Sequence, residues 1–120
     1  MSVLEFSVNT ATLGDNAFVV TLSGEVDLHT APALAQALDG VVGLGGTSVA
    51  LDLADVSFVD STTLGILLRY DERFKERGGE LVVVTSDLRV LRTLEVTGIN
   101  RVLAIERRLA DAVAAILPVA

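Results

Sequence analysis

Residues 49–68 read VALDLADVSFVDSTTLGILL, and the spacing of the apolar residues changes within this stretch. Val49, Leu51 and Leu53 alternate with other residues, which is the period of a β-strand with one face on a core. From Ser61 to about Arg77 the apolar residues return at helical spacing. The predicted inward residues of this helix are Leu67, Tyr70 and Phe74, and the outward ones are Arg69, Glu72, Arg73 and Glu76. The stretch therefore predicts a strand that leads directly into a helix.

The chain before this stretch predicts a hairpin and a helix. Two alternating apolar runs flank the turn residues 14–16 and comprise Leu4, Phe6 and Val8, then Phe18, Val20 and Leu22. Thr30 before Ala31-Pro32 is a predicted N-cap. The helical stripe after it comprises Leu34, Ala37, Leu38, Val41 and Val42, and the glycines of residues 43–46 end it.

The chain after residue 77 predicts two more strands and two more helices. Residues 81–84 are a continuous apolar run, typical of a strand covered on both faces. Ser86 or Asp87 caps a helix that carries Leu88, Leu91 and Leu94 and ends at Gly98. Residues 102–105 predict a short strand, and Leu109, Val113, Ile116 and Leu117 line a last helix.

Strands that alternate with helices indicate parallel strand pairs joined by helical crossovers. A hydrophobic fraction of 51% and a charged fraction of 21% are typical of one compact soluble domain. We therefore predict a single α/β domain over residues 1–120. Its mixed sheet should have about four to five strands and about four helices.

Composition excludes several classes of site. The absence of cysteine excludes disulfides, thiolate zinc sites and thiol catalysis, and a single histidine makes most other metal sites improbable. No apolar run approaches the ~18 residues that cross a bilayer. The start, MSVLEFSVNT, lacks the features of a signal peptide, so we predict a cytoplasmic protein with no membrane contact, metal or cofactor.

The charge is distributed unevenly along the chain. The net charge of −7 opposes binding to nucleic acid. Residues 1–68 contain eight acidic residues and no Lys or Arg, whereas residues 69–120 contain eight acidic and nine basic residues. A partner that docks on the first half should therefore present a basic surface.

Two segments interrupt the amphipathic patterns. The Gly24 segment, residues 24–30 (GEVDLHT), follows the second predicted strand, and the Phe58 segment, residues 58–65 (FVDSTTLG), lies between the third strand and its helix. If these strands are parallel neighbours, both segments emerge at the carboxyl edge of the sheet, where open α/β folds bind ligands. We expect the two segments to form one site.

The hydroxyl groups of the Phe58 segment allow two interpretations. Asp60 or Ser61 can cap the helix by accepting hydrogen bonds from first-turn N–H groups. A cap needs one such side chain, so the successive hydroxyls of Ser61, Thr62 and Thr63 are left without a capping role. An exposed hydroxyl at a helix start also suits reversible phosphorylation, since phosphate oxygens can use the first-turn N–H groups.

A hydrolytic enzyme is the least favoured interpretation of these residues. His29, Ser61 and Asp60 could form a catalytic triad, but no Gly-x-Ser-x-Gly sequence surrounds Ser61. The glycines of residues 43–46 lack the Lys-Ser/Thr of a phosphate-binding loop. We therefore predict that the chain is not an enzyme.

Both segments resemble signatures of a known family. Gly24-Glu25-Val26-Asp27, followed by Thr30-Ala31, is similar to the first signature of the STAS-domain anti-sigma factor antagonists, and Asp60-Ser61-Thr62 with Leu64-Gly65 resembles the second. Gly78-Gly79-Glu80 is a third, weaker point of agreement, and the order of strands and helices agrees over nearly the whole chain. The sequence departs at Thr63, where the family usually has glycine.

The resemblance implies a partner-switching protein. Its unphosphorylated form would bind an anti-sigma factor that is also a serine kinase, phosphorylation would end that binding, and a serine phosphatase would restore it. By position the phosphoacceptor is Ser61, with Thr62 and Thr63 as secondary candidates. The implied partner-binding residues are Glu25, Asp27, His29, Thr30, Asp60, Ser61, Thr62 and Leu64.

The alternative function is a STAS scaffold or adaptor subunit of a transport or stress-signalling complex that is never phosphorylated. The presence of Ser61 favours the phosphorylated class. The sequence leaves open which anti-sigma factor is bound and whether the chain self-associates.

Overall fold

The computed structural model describes residues 5–117, which form a five-stranded mixed sheet with helices on both faces. The strands are β1 (Ser7–Thr12), β2 (Ala17–Val26), β3 (Ser48–Val59), β4 (Leu81–Val84) and β5 (Ala104–Glu106). The helices are α1 (Ala31–Gly43), α2 (Ser61–Glu76), α3 (Leu88–Val96) and α4 (Leu109–Ile116), with a 3₁₀ turn at Ile99–Arg101. The predicted α/β class with a mixed sheet is confirmed.

The strands lie in chain order across the sheet. β1 pairs antiparallel with β2, and each later strand pairs parallel with the strand before it. Val20, Leu51 and Val83 are side by side in this register and are fully buried. The parallel pairs bring the carboxyl ends of β2, β3 and β4 to one edge of the sheet.

Each face of the sheet has its own hydrophobic core. Alternate strand residues such as Leu22, Leu53 and Leu81 join the larger core beneath α1, α2 and α3. The residues between them, including Val19 and Val82, join a smaller core beneath α4. Residues that alternate along each strand therefore pack into two different layers, one on each face of the sheet.

Polar contacts fix α2 against both of its neighbours. Asp71 is buried, forms an ion pair with Lys75 at 2.8 Å, and accepts a hydrogen bond from the Leu81 N–H at 3.2 Å. The Tyr70 hydroxyl donates to Asp39 on α1. The helix that begins at Ser61 is thus attached to β4 on one side and to α1 on the other.

Hydrogen bonds to backbone carbonyls join the loops at the amino edge of the parallel strands. The Asn16 carbonyl accepts from the N–H groups of Thr47 at 2.9 Å and Ser48 at 3.2 Å. The Arg77 guanidinium donates to the carbonyls of Val42 at 3.1 Å and Gly46 at 3.2 Å. The ends of α1 and α2 are therefore connected at this edge.

Several predicted boundaries are wrong by a few residues. β2 continues through Val26 and β3 through Val59, so both site segments begin inside their strands. The short strand predicted at residues 102–105 lies at Ala104–Glu106. The predicted alternation at Leu4 lies outside the described residues.

The predicted inward faces of the last two helices are partly wrong. Leu88 is 75% exposed, because the helix begins there and its core residues are Val90 and Leu94. In α4 the buried residues are Ala112 and Ile116, whereas Leu109 is exposed. In both helices the first apolar residue lies in the opening turn, ahead of the face that meets the sheet.

Gly79 provides a test of packing at the amino edge. A Cβ at Gly79 would lie 1.8 Å from the Thr47 carbonyl oxygen, so the backbone must move to admit it. We expect Gly79→Ala to lower the free energy of unfolding by about 1–3 kcal/mol in urea denaturation. Gly40→Ala is the control, since a Cβ at Gly40 within α1 meets nothing within 4 Å and should stabilise the helix. Equal denaturation midpoints for the two variants would contradict this packing.

Candidate functional site

The Gly24 and Phe58 segments meet at the carboxyl edge of the sheet. Glu25 pairs with Phe58 and Val26 with Val59 in the parallel register of β2 and β3. The two segments lie together, as the sequence predicts. The two segments contain the carboxylates of Glu25, Asp27 and Asp60 and no Lys or Arg, which makes this edge acidic.

Two irregularities in the β2–β3 pairing shape this edge. Register shifts occur between Thr21 and Ser23 and between Gly24 and Glu25. Gly24 has φ +93°, and a Cβ there would lie 3.0 Å from the Phe6 Cα, so the site requires glycine at this position. Each shift places one extra residue in β3, and the two together leave Val26 and Val59 in the larger core and Glu25 and Phe58 exposed.

Asp27 organises the loop that follows β2. Its Oδ1 accepts hydrogen bonds from the N–H groups of His29 at 2.9 Å and Thr30 at 3.2 Å. The Thr30 hydroxyl donates to the Glu25 carbonyl at 2.9 Å and accepts from the Asp27 N–H at 2.9 Å. Thr30 occupies the N-cap position of α1, but its side chain does not cap the helix as predicted, because it closes this loop instead.

The N–H of His29 holds the pKa of Asp27 below its ordinary value, with further hydrogen bonds from Thr30 acting in the same direction. Asp27 therefore remains ionised at neutral pH and keeps the loop closed. His29 itself is exposed and, within residues 5–117, forms no hydrogen bond with Ser61. The geometry of a catalytic triad is absent from this part of the chain.

Asp60 is the N-cap of α2. Its Oδ1 accepts from the Thr63 N–H at 2.9 Å. Ser61 and Thr62 occupy the first two helical positions, and both are exposed. Capping therefore uses Asp60 and leaves the hydroxyls of Ser61 and Thr62 at the surface.

Thr63 differs from the two hydroxyl residues before it. It is only 1% exposed, and its hydroxyl lies 2.9 Å from Asp60 Oδ1 and 3.2 Å from the Val26 carbonyl oxygen. A kinase cannot reach this hydroxyl in the described conformation, so the geometry opposes Thr63 as a secondary phosphoacceptor. The side chain that replaces the usual glycine points inward and leaves the outer surface of the loop uncrowded.

Two further residues at this edge differ from expectation. Leu64, a predicted partner-binding residue, is 5% exposed and packs in the larger core, so it cannot contact a partner directly. Phe58 is 49% exposed beside Glu25 and was not predicted as a surface residue. Its face agrees with the alternation of Val49, Leu51 and Leu53, because the two register shifts add two residues to β3 and cancel, but no signal in the sequence shows that this part of the face is uncovered.

Comparison with known proteins identifies relatives over most of the chain. A model of the STAS domain family matches residues 8–112. An anti-sigma-B factor antagonist of Listeria monocytogenes is 32% identical over 87 residues, which are 72% of this chain and 76% of the relative. The anti-sigma-B factor antagonist of Bacillus subtilis is 30% identical over 94 residues, 78% of this chain and 85% of the relative.

A solved structure resembles the whole fold. The crystal structure of an anti-sigma factor antagonist from Mycobacterium paratuberculosis has a TM-score of 0.84 and 31% sequence identity, covering 93% of this chain and 94% of that one. Within residues 5–117, no helix has the length and apolar composition needed to cross a membrane.

The Asp27 loop should open in acid. Because the folded pKa of Asp27 is lowered from 3.8, its stabilising contribution is complete above 3.8 and is lost as the pH falls through the folded pKa. We expect the backbone amide shifts of His29 and Thr30 to titrate with a midpoint below 3.8 in NMR spectra. Asp27→Asn should abolish this titration. A midpoint at or above 3.8 in the original chain would contradict the hydrogen-bonded loop.

Proposed function

The chain belongs to the STAS domain family, and we propose that it is an anti-sigma factor antagonist controlled by phosphorylation of Ser61. The unphosphorylated form binds an anti-sigma factor that is also a serine kinase and thereby frees a sigma factor. Phosphorylation of Ser61 ends this binding, and a serine phosphatase restores it. Because sigma factors act in transcription, this activity belongs to the cytoplasm.

The observation that carries the proposal is the exposure of Ser61 at the start of α2, directly after the capping aspartate. Its hydroxyl is not needed for capping, since Asp60 supplies that hydrogen bond. The names of the curated relatives, anti-sigma-B factor antagonists, support the same class of activity. In this role the chain is a substrate and a binding partner and has no catalytic residues of its own.

The surrounding charges explain how a phosphate on Ser61 would act. Phosphorylation adds about −1.5 to −2 charges at neutral pH. The helix N-terminus favours that charge locally, whereas the carboxylates of Asp60 and Asp27 oppose it. The fold therefore tolerates the modification, while a basic partner surface fitted to the unmodified edge meets a changed charge and a larger group.

The proposed docking surface consists of the exposed parts of the two segments. It contains Glu25, Asp27, His29, Thr30, Asp60, Ser61 and Thr62, and Phe58 adds an apolar side chain. Acidic groups around an exposed aromatic residue suit a partner with a basic surface and an apolar pocket.

Ser61→Ala should abolish phosphorylation and leave the fold intact. Ser61 is exposed and is not the cap, so we expect the change in unfolding free energy to stay within about 0.5 kcal/mol. The measurement is incorporation of labelled phosphate by the anti-sigma factor kinase of the same genome. Ser86→Ala is the matched control, because Ser86 is an exposed serine beside the aspartate that caps α3. Undiminished labelling of Ser61→Ala would transfer the assignment to Thr62.

Ser61→Asp should weaken binding to the same kinase. A carboxylate at residue 61 supplies part of the charge of a phosphate, and we expect a loss of about 1–3 kcal/mol in calorimetric titration. Asn16→Asp adds one negative charge at the opposite edge and should bind as the original chain does. Circular dichroism should show the same fold for the original chain, Ser61→Asp and Asn16→Asp. Equal affinities for the original chain, Ser61→Asp and the phosphorylated protein would instead favour the scaffold function.

A further inference from the structure

We propose that Thr63 is a positioning residue that fixes the phosphoacceptor turn to the end of β2, so that Ser61 is presented to the kinase in one orientation. This inference rests on the proposed function, because it takes Ser61 as the acceptor. Thr63 itself receives no phosphate.

The hydroxyl of Thr63 lies between two acceptors on different segments. Its single proton is shared between Asp60 Oδ1 at 2.9 Å and the Val26 carbonyl oxygen at 3.2 Å. The N–H of the same residue also donates to Asp60 Oδ1 at 2.9 Å. Thr63 therefore holds the aspartate carboxylate by two donors and connects it to β2.

The connection continues into the Gly24 segment. Val26 is followed directly by Asp27, and the Asp27 loop is closed by Thr30 through the Glu25 carbonyl. Hydrogen bonds thus run from Thr30 through β2 and Thr63 to Asp60, the residue before the acceptor. The two segments form one hydrogen-bonded unit.

The buried hydrogen bonds of Thr63 affect phosphoryl transfer by orienting the Ser61 hydroxyl. The attacking hydroxyl must be held near the phosphorus atom in the correct direction, and small displacements are costly in rate. Ser61 has an exposed side chain, so its position depends on the turn that carries it. The bonds of Thr63 restrict that turn from the inside, whereas docking of the kinase depends on the exposed residues.

The test compares Thr63→Val, Thr63→Ala and Thr63→Ser with the original chain. Valine replaces the hydroxyl with a methyl group at similar volume, alanine removes both the hydroxyl and the methyl group, and serine keeps the hydroxyl and removes the methyl group. Tyr70→Phe is the matched control, because it removes a hydroxyl that joins α2 to α1 away from the acceptor turn. The readouts are backbone amide exchange at residue 63 and Leu64, whose N–H groups donate to Asp60, and the kcat and KM of phosphorylation by the anti-sigma factor kinase that binds the original chain.

We expect Thr63→Val and Thr63→Ala to lower kcat by about tenfold with KM within about twofold, and to speed amide exchange at residue 63 and Leu64 by about tenfold. Thr63→Ser should restore both values. Tyr70→Phe should lower the melting temperature without changing kcat. If Thr63→Val fails to fold, the pair Thr63→Ala and Thr63→Ser decides the comparison.

Two results would overturn the inference. One is unchanged kcat and amide exchange in folded Thr63→Ala, and the other is an equal loss of kcat in Tyr70→Phe, which would show a general effect of stability. If the original chain accepts no phosphate at all, the proposed function fails. Amide exchange alone then decides whether Thr63 fixes the turn.

Discussion

The parallel pairing of β2 with β3 is the constraint on which the site depends. It extends from Ala17 beside Ser48 to Val26 beside Val59, and the helices that follow both strands pack on the same face of the sheet. The pairing therefore places the loops that follow β2 and β3 next to each other at one edge of the sheet. The core residues beneath them are largely aliphatic, which leaves the polar chemistry of the site to the loops and to the first turn of α2.

The two aspartates of the site have equivalent roles in their loops. Oδ1 of Asp27 accepts from two backbone N–H groups, and Oδ1 of Asp60 accepts from the N–H and hydroxyl of Thr63. Within residues 5–117 the second carboxylate oxygen of each forms no hydrogen bond, so each aspartate retains an acceptor for a partner. Structural capping and partner binding thus use different atoms of the same side chain.

The sequence predicts most of the fold and less of the site. The alternation of Val49, Leu51 and Leu53 and the helical spacing after Ser61 are different periods, so the start of this strand and the helix after it were predictable, whereas the end of the strand at Val59 was not. Alternation places Phe58 on the face away from the larger core, but no local pattern shows that this end of the face is left uncovered. The inward position of Thr63 depends on a carbonyl 37 residues away along the chain, and no local pattern specifies such a contact.

The hydrogen-bonded amino edge has a consequence for the divergence of related chains. There the Arg77 side chain donates to two backbone carbonyls and Gly79 lies against the Thr47 carbonyl oxygen, so few substitutions are tolerated at these two positions. At the carboxyl edge Glu25, His29 and Thr62 are exposed, and their side chains can change with little effect on packing. Descendants of one ancestral chain can therefore acquire different partners at one end of the molecule while the other end preserves a common fold.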